Sequence, residues 1–296
     1  MQIIKKIGII TTVIAGCMFL IYSASNPIKK TKIDSKTDYV FPEKADFCSE
    51  ETPLNLIDVK ERFDRELVTN VNLHGSTIMI MKRANRVFPI IEPILAKNNV
   101  PDDFKYLAVI ESGLINATSP AGAKGVWQFM PDTAREKGME VNDNVDERYN
   151  LEKSTETACQ YLLAAKEKLG SWTLAAASYN GGMGGVSKQI DFQKTTNYYD
   201  LLFTDETHRY IFRILALKEI MKNPTIYGFN LQKAELYPVI ETKKIQVDST
   251  ITNLSDFAQK QGINYKILKI HNQWLRDRKL ENKLRKVYQI EIPINK

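Results

Sequence analysis

The feature that most constrains this chain is the helical spacing of its apolar residues, which continues from residue 56 to residue 222. In "NLIDVKERFDREL" the apolar positions are three or four residues apart: Leu56, Val59, Phe63 and Leu67. No strong alternation of apolar and polar residues, the pattern of a half-buried strand, is found before residue 236. The sequence therefore predicts a mainly α fold, with one helical domain over residues 56–222.

The pattern changes after residue 236. "KKIQV" and "KVYQIEIP" alternate as strands do, and "NLSDFAQKQG" and "YKILKIHN" between them are typical of short helices. A small βααβ module over residues 236–296 is therefore predicted. Residues 241–296 contain twelve Lys or Arg against six Asp or Glu, which accounts for the whole formal net charge of +6. This charge indicates either an anionic partner or only a solvated basic face.

The first 25 residues have the pattern of a targeting segment. "MQIIKK" supplies positive charge, and an apolar run of about 16 residues follows, which is short for a spanning helix. Within it, "IAGC" resembles the lipobox of bacterial lipoproteins, in which Cys17 would be lipidated, although the sequence stays apolar after that cysteine. A cleaved signal peptide and an uncleaved membrane anchor remain alternatives. All three predict export to the bacterial cell envelope, with the periplasm as the compartment. Residues 26–55 are polar and without periodicity, which predicts a linker.

The cysteines do not indicate a metal site or a disulfide scaffold. There are three, at Cys17, Cys48 and Cys159, and their spacing matches neither pattern. The glycines after Asn180 do not form a phosphate loop, because the Lys-Ser/Thr that should follow them is missing. We therefore expect neither a metal nor a cofactor.

One acid stands in an otherwise apolar helix, "FKYLAVIESG", at residues 104–113. Glu111 falls in the last turn of this helix, where burial and the negative end of the helix dipole both disfavour its charged form. Both effects raise the pKa of the carboxyl, and an acid that is protonated near neutral pH can act as a general acid. The alternative is a structural glutamate that pairs with Arg or Lys at the domain surface.

Two further stretches carry polar and aromatic groups next to glycines. In "GAKGVWQFMPDTA", Trp127 and Phe129 could pack on sugar rings and Gln128 could hydrogen-bond sugar hydroxyls or an acetamido group; the alternative is two core aromatics beside one exposed amide. In "ASYNGG", Tyr179 and Asn180 could donate hydrogen bonds to a substrate or to the acid, or they could simply end a helix.

Together these pieces resemble a known family. "ES" at Glu111, "GVWQF" at residues 125–129, "SYN" at residues 178–180 and the tyrosine of "HRYIFR" have the order and spacing of the soluble-lytic-transglycosylase domain, and within it of the membrane-bound D subgroup. The resemblance implies a lysozyme-like (goose-type) helical fold. It also implies cleavage of the bond between N-acetylmuramic acid and N-acetylglucosamine in peptidoglycan.

The same resemblance assigns roles to individual residues. Glu111 matches the single catalytic acid/base of the family. Five further residues match positions that line the groove or support that glutamate: Ser112, Gln128, Tyr179, Asn180 and Tyr210. The sequence departs from the family at Trp127, where many relatives have Met, and at Ser178, where many have Ala.

A single acid implies a particular chemistry. Most glycosidases use two carboxylates, whereas the other acids near the motifs fall at helix starts or in loops: Asp132, Asp143, Asp146 and Glu147. The resemblance implies that Glu111 protonates the glycosidic oxygen and then takes a proton from the 6-hydroxyl of the muramic acid, which closes a 1,6-anhydro ring. Two alternatives stay open, a hydrolytic muramidase on the same fold and an inactive peptidoglycan-binding protein.

The C-terminal module resembles a LysM domain, in a degenerate form. It has the βααβ order, and Asn272 stands near the end of the second helix, but "DST" at residues 248–250 replaces the usual Gly-Asp-Thr. The expected partners are peptidoglycan glycan strands and, through the N-terminus, a membrane. A nucleic-acid partner is not expected for an exported chain, and nothing indicates an oligomeric state.

Overall fold

The structure is a computed structural model that describes residues 40–294. The predicted targeting segment at residues 1–25, with Cys17, lies outside the described residues, as do residues 26–39. The described part contains ten α-helices: α1 (Ile57–Asn72), α2 (His74–Lys97), α3 (Phe104–Ser112), α4 (Pro131–Glu136), α5 (Leu151–Leu169), α6 (Trp172–Gly181), α7 (Met183–Gln193), α8 (Asp205–Lys222), α9 (Leu254–Lys260) and α10 (Tyr265–His271). Its six short strands are β1 (Asp46–Phe47), β2 (Glu50–Glu51), β3 (Ala117–Thr118), β4 (Lys124–Gly125), β5 (Thr242–Val247) and β6 (Tyr288–Pro293). The prediction of a mainly α protein is confirmed.

Helix α8 is the central element of the helical domain. It packs against α1, α3 and α6, and its middle turns are buried almost all round, at Ile211, Phe212, Ile214, Leu215 and Ala216. A helix that is apolar on every face is stable only inside a core. The short helix α3 is also apolar on most faces, and its neighbour α8 covers the end that carries Glu111.

Helix α3 ends where the sequence predicts. Gly113 at its C-terminus has φ +60° and ψ +28°, a left-handed conformation that favours glycine, and its N–H bonds to the carbonyl of Val109. The chain then enters the antiparallel hairpin β3–β4, which leads into α4.

The predicted linker over residues 26–55 is wrong for its last part. Residues 40–55 pack on the helical domain, because Phe47 is fully buried and meets the ring of Phe104 edge-on at 5.1 Å. The carboxylate of Glu50 also accepts hydrogen bonds from the backbone N–H groups of Trp172 and Thr173 at the start of α6, at 2.7 and 2.8 Å. A carboxylate at a helix N-terminus is stabilised by the helix dipole.

The C-terminal module has the predicted βααβ order. Strands β5 and β6 pair antiparallel from Thr242 opposite Pro293 to Val247 opposite Tyr288, with α9 and α10 between them in sequence. The inward residues of the two strands and the helices form a second apolar core that includes Leu254, Leu268 and Ile290. Among residues 40–294, no helix is both long and apolar enough to cross a membrane.

Candidate active site

Glu111 lies in the last turn of α3 and is half-buried. Burial, the largest effect on its carboxyl, raises the pKa of Glu111 above the ordinary glutamate value, and the nearby charge of Glu206 acts in the same direction. A hydrogen bond from Tyr210 and the charge of Arg213 act in the opposite direction without cancelling the effect of burial. The site therefore favours a protonated acid at a pH where an exposed glutamate is ionised.

Helix α8 supplies the groups that hold Glu111 in place. The phenolic hydroxyl of Tyr210, which is buried, donates a hydrogen bond to Oε1 of Glu111. Burial and the Glu111 carboxylate together raise the pKa of Tyr210 well above its usual value, so the phenol stays a donor. One turn further along, the guanidinium of Arg213 donates from Nη2 to the carbonyl of Ile110 at 3.0 Å. These two bonds fix the end of α3 against α8.

Ser112 joins the end of α3 to the segment that follows β4. Its hydroxyl donates to the carbonyl of Val126 at 2.8 Å, and it accepts from the N–H of Leu114 at 3.1 Å. In this structure Ser112 therefore holds the loop beside Glu111.

The structure corrects the prediction that Trp127 and Phe129 pack on sugar rings. Trp127 is fully buried and donates its indole N–H to Oγ1 of Thr155 on α5 at 2.8 Å, and Phe129 is 4% exposed and meets the ring of Tyr179 edge-on. Both rings face the core, because helices α5 and α6 cover them. They hold the loop on the domain instead of offering a face to a ligand.

Gln128 is half-buried and has a left-handed backbone, with φ +51°. Its side-chain amide donates to the carbonyls of Gly125 and Ala117, at 2.6 and 3.2 Å. Both N–H bonds are thus used within the hairpin, and the amide oxygen is the part that a substrate could still use as an acceptor.

Tyr179 and Asn180 lie near the end of α6 on the same side of the domain. The hydroxyl of Tyr179 donates to the carbonyl of Trp127 at 2.8 Å. After burial, the charge of Glu111 is the largest effect that raises the pKa of Tyr179, so this phenol lies near the carboxylate. Asn180 donates to Oε1 of Glu206 at 2.9 Å and accepts from the hydroxyl of Thr207 at 2.7 Å.

Sequence reasoning missed three residues of α8: Glu206, Thr207 and Arg213. Glu206 is exposed and lies four residues before Tyr210, on the same face of the helix. That spacing is the signal that could have found it, because a residue four before a tyrosine that reaches Glu111 must approach the same site.

Three of the four acids that we expected at helix starts or in loops have other partners. Asp132 pairs with Arg135 and Asp146 with Arg148, while Glu147 accepts from the N–H of Glu140 at 2.8 Å. Among residues 40–294, no group of three or more His, Cys, Asp or Glu side chains could hold a metal ion.

The fold and the site define a class: a lysozyme-like helical domain with one acid in an apolar helix, followed by a βααβ module. Comparison with known families agrees. Residues 88–202 match the transglycosylase SLT domain, and residues 243–296 match the soluble lytic transglycosylase C-terminal LysM-like domain. The chain therefore belongs, through these two domains, to the lytic transglycosylases of the SLT type. The predicted family and the degenerate LysM-like module are confirmed.

Two proteins of known name are similar over most of the chain. The membrane-bound lytic murein transglycosylase D of Escherichia coli strain K12 is 30% identical over 221 residues, which is 72% of this chain and 47% of that protein. The protein of the same name from Escherichia coli O6:H1 matches with the same identity and coverage. The chain thus spans about half the length of these curated relatives.

Proposed function

We propose that this protein is a peptidoglycan lytic transglycosylase that cleaves the β-1,4 bond between N-acetylmuramic acid and N-acetylglucosamine without water and leaves 1,6-anhydro-N-acetylmuramic acid ends. Its single general acid and base is Glu111. The observation that carries the proposal is the environment of this residue: a half-buried carboxyl with a raised pKa, held by the hydroxyl of Tyr210. The domain match and the similarity to lytic murein transglycosylases support the same substrate and reaction class.

The first step uses the protonated form of Glu111. The acid gives its proton to the glycosidic oxygen while the bond from that oxygen to C1 of the muramic acid breaks. N-acetylglucosamine leaves with this proton as a free 4-hydroxyl. The acetamido group of the muramic acid stabilises the positive charge at C1, and Tyr210 stabilises the carboxylate that forms on Glu111.

The second step uses the carboxylate as a base. Glu111 takes the proton from the 6-hydroxyl of the same muramic acid, and the oxygen of that group bonds to C1. The 1,6-anhydro ring closes and Glu111 is protonated again, so the two half-reactions return the enzyme to its starting state. No water molecule is consumed.

The position of Glu206 near Glu111 keeps a hydrolytic muramidase as the second candidate. Its carboxylate is exposed, lies close enough to raise the pKa of Glu111, and is oriented by Asn180. A hydrolytic enzyme needs a second carboxylate that activates water. In our proposal Glu206 has no such role, and the products decide between the two.

The test is mass spectrometry of muropeptides released from purified sacculi by residues 26–296, beside the variants Glu111→Gln and Glu206→Gln. We expect products lighter by one water than hydrolysis products, and their absence with Glu111→Gln. Reducing ends, lost in both variants, would support the muramidase instead. If the wild-type protein also releases no material but sacculi still pull it down, the protein is a wall-binding protein without activity.

We also propose that the protein acts in the bacterial cell envelope on glycan strands, attached to a membrane through its N-terminal segment. The apolar run with Cys17 and the word "membrane-bound" in the name of the relatives support this location. Membrane fractionation of the whole chain beside Cys17→Ser tests it. A lipoprotein gives a shortened membrane-bound form that is lost in Cys17→Ser, because lipidation precedes cleavage. An uncleaved anchor leaves both forms in the membrane at full length, and a cleaved signal leaves both soluble.

A further inference from the structure

The LysM-like module is joined to the catalytic domain by backbone hydrogen bonds. Val145 pairs with Leu275 as an isolated β-bridge, and the N–H of Asp146 donates to the carbonyl of Trp274 at 2.9 Å. The N–H of Arg276 donates to the carbonyl of Asn144 at 2.8 Å. A module on a flexible tether would make no such ladder, so the two parts meet in one defined orientation.

Side chains extend this contact on both sides of the ladder. The amide of Asn144 donates to the carbonyl of Lys279 at 2.9 Å and accepts from the N–H of Glu281 at 3.0 Å. Val145 and Tyr149 are buried in the apolar core of the module, and the guanidinium of Arg276 lies 4.3 Å from the ring centroid of Tyr149. The catalytic domain therefore contributes part of the module's own core.

Part of the module's basic charge is also used at this contact. The ammonium of Lys286 lies 2.7 Å from Oε2 of Glu140, to which Tyr288 donates at 2.9 Å, and Lys244 pairs with Glu152. Acids of the catalytic domain thus neutralise cations that would otherwise be free for an anionic ligand.

The segment that receives the module also holds the loop beside Glu111. Arg148 and Asp146 form a buried ion pair at 2.8 Å, with both side chains 4% exposed. From the same guanidinium, Nη1 donates to the carbonyls of Gly122 and Phe129, at 3.1 and 3.2 Å. These carbonyls stand at the two ends of residues 122–129, which we call the active-site loop.

Tyr149 holds the strand that precedes this loop. Its carbonyl accepts from the amide of Asn116 at 3.2 Å, and its hydroxyl bonds to Thr118 at 3.0 Å. On its other side the active-site loop is bonded to Ser112 and Tyr179, the neighbours of Glu111. A continuous set of contacts therefore runs from the core of the module, through residues 144–149, to the acid.

We propose that the docked LysM-like module stabilises the active site, and that Arg148 is the positioning residue through which it fixes the active-site loop. The buried guanidinium pairs with the carboxylate of Asp146. The backbone of Asp146 bonds to the carbonyl of Trp274 in the module and also pairs with Val141 in the catalytic domain. Loss of the docked module would free both ends of the loop, and with them the carbonyls that Ser112 and Tyr179 contact. The side chain of Arg148 itself bonds to Asp146, Gly122 and Phe129 and is only 4% exposed.

Hydrogen exchange on the full chain tests whether the module stabilises the active-site loop, without reference to any activity. Two variants act at different points: Arg148→Met removes the guanidinium, and Asn144→Ala weakens docking at a residue that makes no bond to the loop. Matched controls are Arg65→Met and Asn72→Ala, both on α1 and away from residues 122–149. We expect the amides of Ser119 and Lys124, which bond within the hairpin, to exchange at least about tenfold faster in both variants, while amides in the middle of α8 and in both controls keep the wild-type rate.

Two results would overturn this proposal. Unchanged exchange in the hairpin with Arg148→Met would mean that the guanidinium does not hold the loop. Unchanged exchange with Asn144→Ala would mean that docking of the module does not stabilise the loop. Equal acceleration in α8 would mean that the variants only lower global stability.

Measurement of kcat and KM gives a second test, which rests on the proposed function and is interpreted separately from hydrogen exchange. For Arg148→Met we expect kcat on sacculi to fall about tenfold with KM within about twofold, because a displaced loop disturbs the reacting geometry more than binding. Arg148→Lys, which keeps the charge beside Asp146, should recover part of kcat. An equal fall in kcat for Arg148→Lys and Arg148→Met, or a change in KM alone, would contradict the positioning role. If the wild-type protein itself releases no muropeptides, the proposed function fails. The exchange experiment still tests whether the module stabilises the loop.

Discussion

The hydroxyl of Tyr210 donates a hydrogen bond to Oε1 of Glu111, across the contact between α8 and α3. The two residues are 99 positions apart in sequence, and the phenol is almost completely buried. The bond stabilises the ionised form of a carboxyl that burial otherwise keeps protonated. In the proposed mechanism the same carboxyl gives up a proton first and accepts one later, so the bond from Tyr210 would adjust the acid between these two roles.

Replacement of Tyr210 by Phe is expected to lower kcat by about 10- to 100-fold, since a hydrogen bond to a charged group contributes about 1.5–3 kcal/mol. Without the donor, the pKa of Glu111 rises further. Because the proposed first step needs protonated Glu111, the alkaline limb of the kcat profile should move to higher pH. A pH profile on soluble glycan fragments measures both changes.

Tyr199→Phe is the matched control for that experiment, because Tyr199 is also a buried phenol but bonds to Thr52 at 2.9 Å. The control should keep the wild-type pH limb. A limb that stays in place for Tyr210→Phe, or moves to lower pH, would contradict the role of Tyr210.

Glu111→Gln is expected to abolish activity and to remove a dependence of stability on pH. Because burial raises the pKa of Glu111 above its ordinary value of 4.5, the folded protein binds this proton more tightly than the unfolded chain. The contribution to the free energy of unfolding is thus full below the unfolded pKa and is lost as pH rises through the folded pKa. Glutamine does not titrate, so the difference in stability, variant minus wild type, should be more positive at pH 8 than at pH 4. Urea unfolding at both pH values measures it, and parallel behaviour of the two proteins would argue against a raised pKa.

The sequence predicted the acid and the order of the helices, because both depend on local pattern. The periodicity of residues 104–113 placed Glu111 in an apolar helix with a glycine at its end, and the family resemblance added Tyr210. These features need no knowledge of what lies opposite. The βααβ module was predicted for the same reason, since its alternating strands flank two short helices.

The misplaced residues are those whose environment is set by distant parts of the chain. Trp127 lies in a glycine-rich segment whose sequence predicts an exposed loop, yet Thr155 on α5 accepts its indole N–H. Phe47 lies in a polar stretch, and only its contact with Phe104 shows that residues 40–55 belong to the core. The docking of the module on residues 144–149 likewise depends on backbone groups, which carry no sequence signal.

The backbone of the active-site loop leads to a prediction at Gly125. This residue has φ +85°, and a Cβ there would lie 1.9 Å from the carbonyl oxygen of Arg148. Gly125→Ala must therefore displace the backbone that carries Arg148, in addition to straining its own φ. We expect a loss of about 3 kcal/mol or more in the free energy of unfolding, from a left-handed residue at about 1–2 kcal/mol and overpacking at about 1–3 kcal/mol, together with a fall in kcat.

Gly122→Ala separates the two causes. Gly122 has φ +90°, but no atom lies within 4 Å of a Cβ at that position. It should lose only the conformational part, about 1–2 kcal/mol. Denaturant unfolding of the two variants gives the comparison, and equal losses would mean that the close approach of Gly125 to Arg148 has no energetic consequence.

A last prediction concerns the ion pair that joins α1 to α8. The carboxylate of Glu66 is 2% exposed and accepts from Nε and Nη2 of Arg209, at 2.7 and 3.2 Å. Arg209→Met leaves that buried carboxylate without its main partner, which should lower the free energy of unfolding by about 3 kcal/mol. Arg65→Met is the matched control. Arg65 is exposed, its guanidinium lies as far as 4.0 Å from the carboxylate of Glu66, and surface pairs contribute about 0–1 kcal/mol. Urea unfolding measures both, and since α8 also carries Tyr210, the folded Arg209→Met protein should keep its kcat if the pair serves stability alone. A large loss of kcat at unchanged fold would instead make this pair part of the positioning of Tyr210.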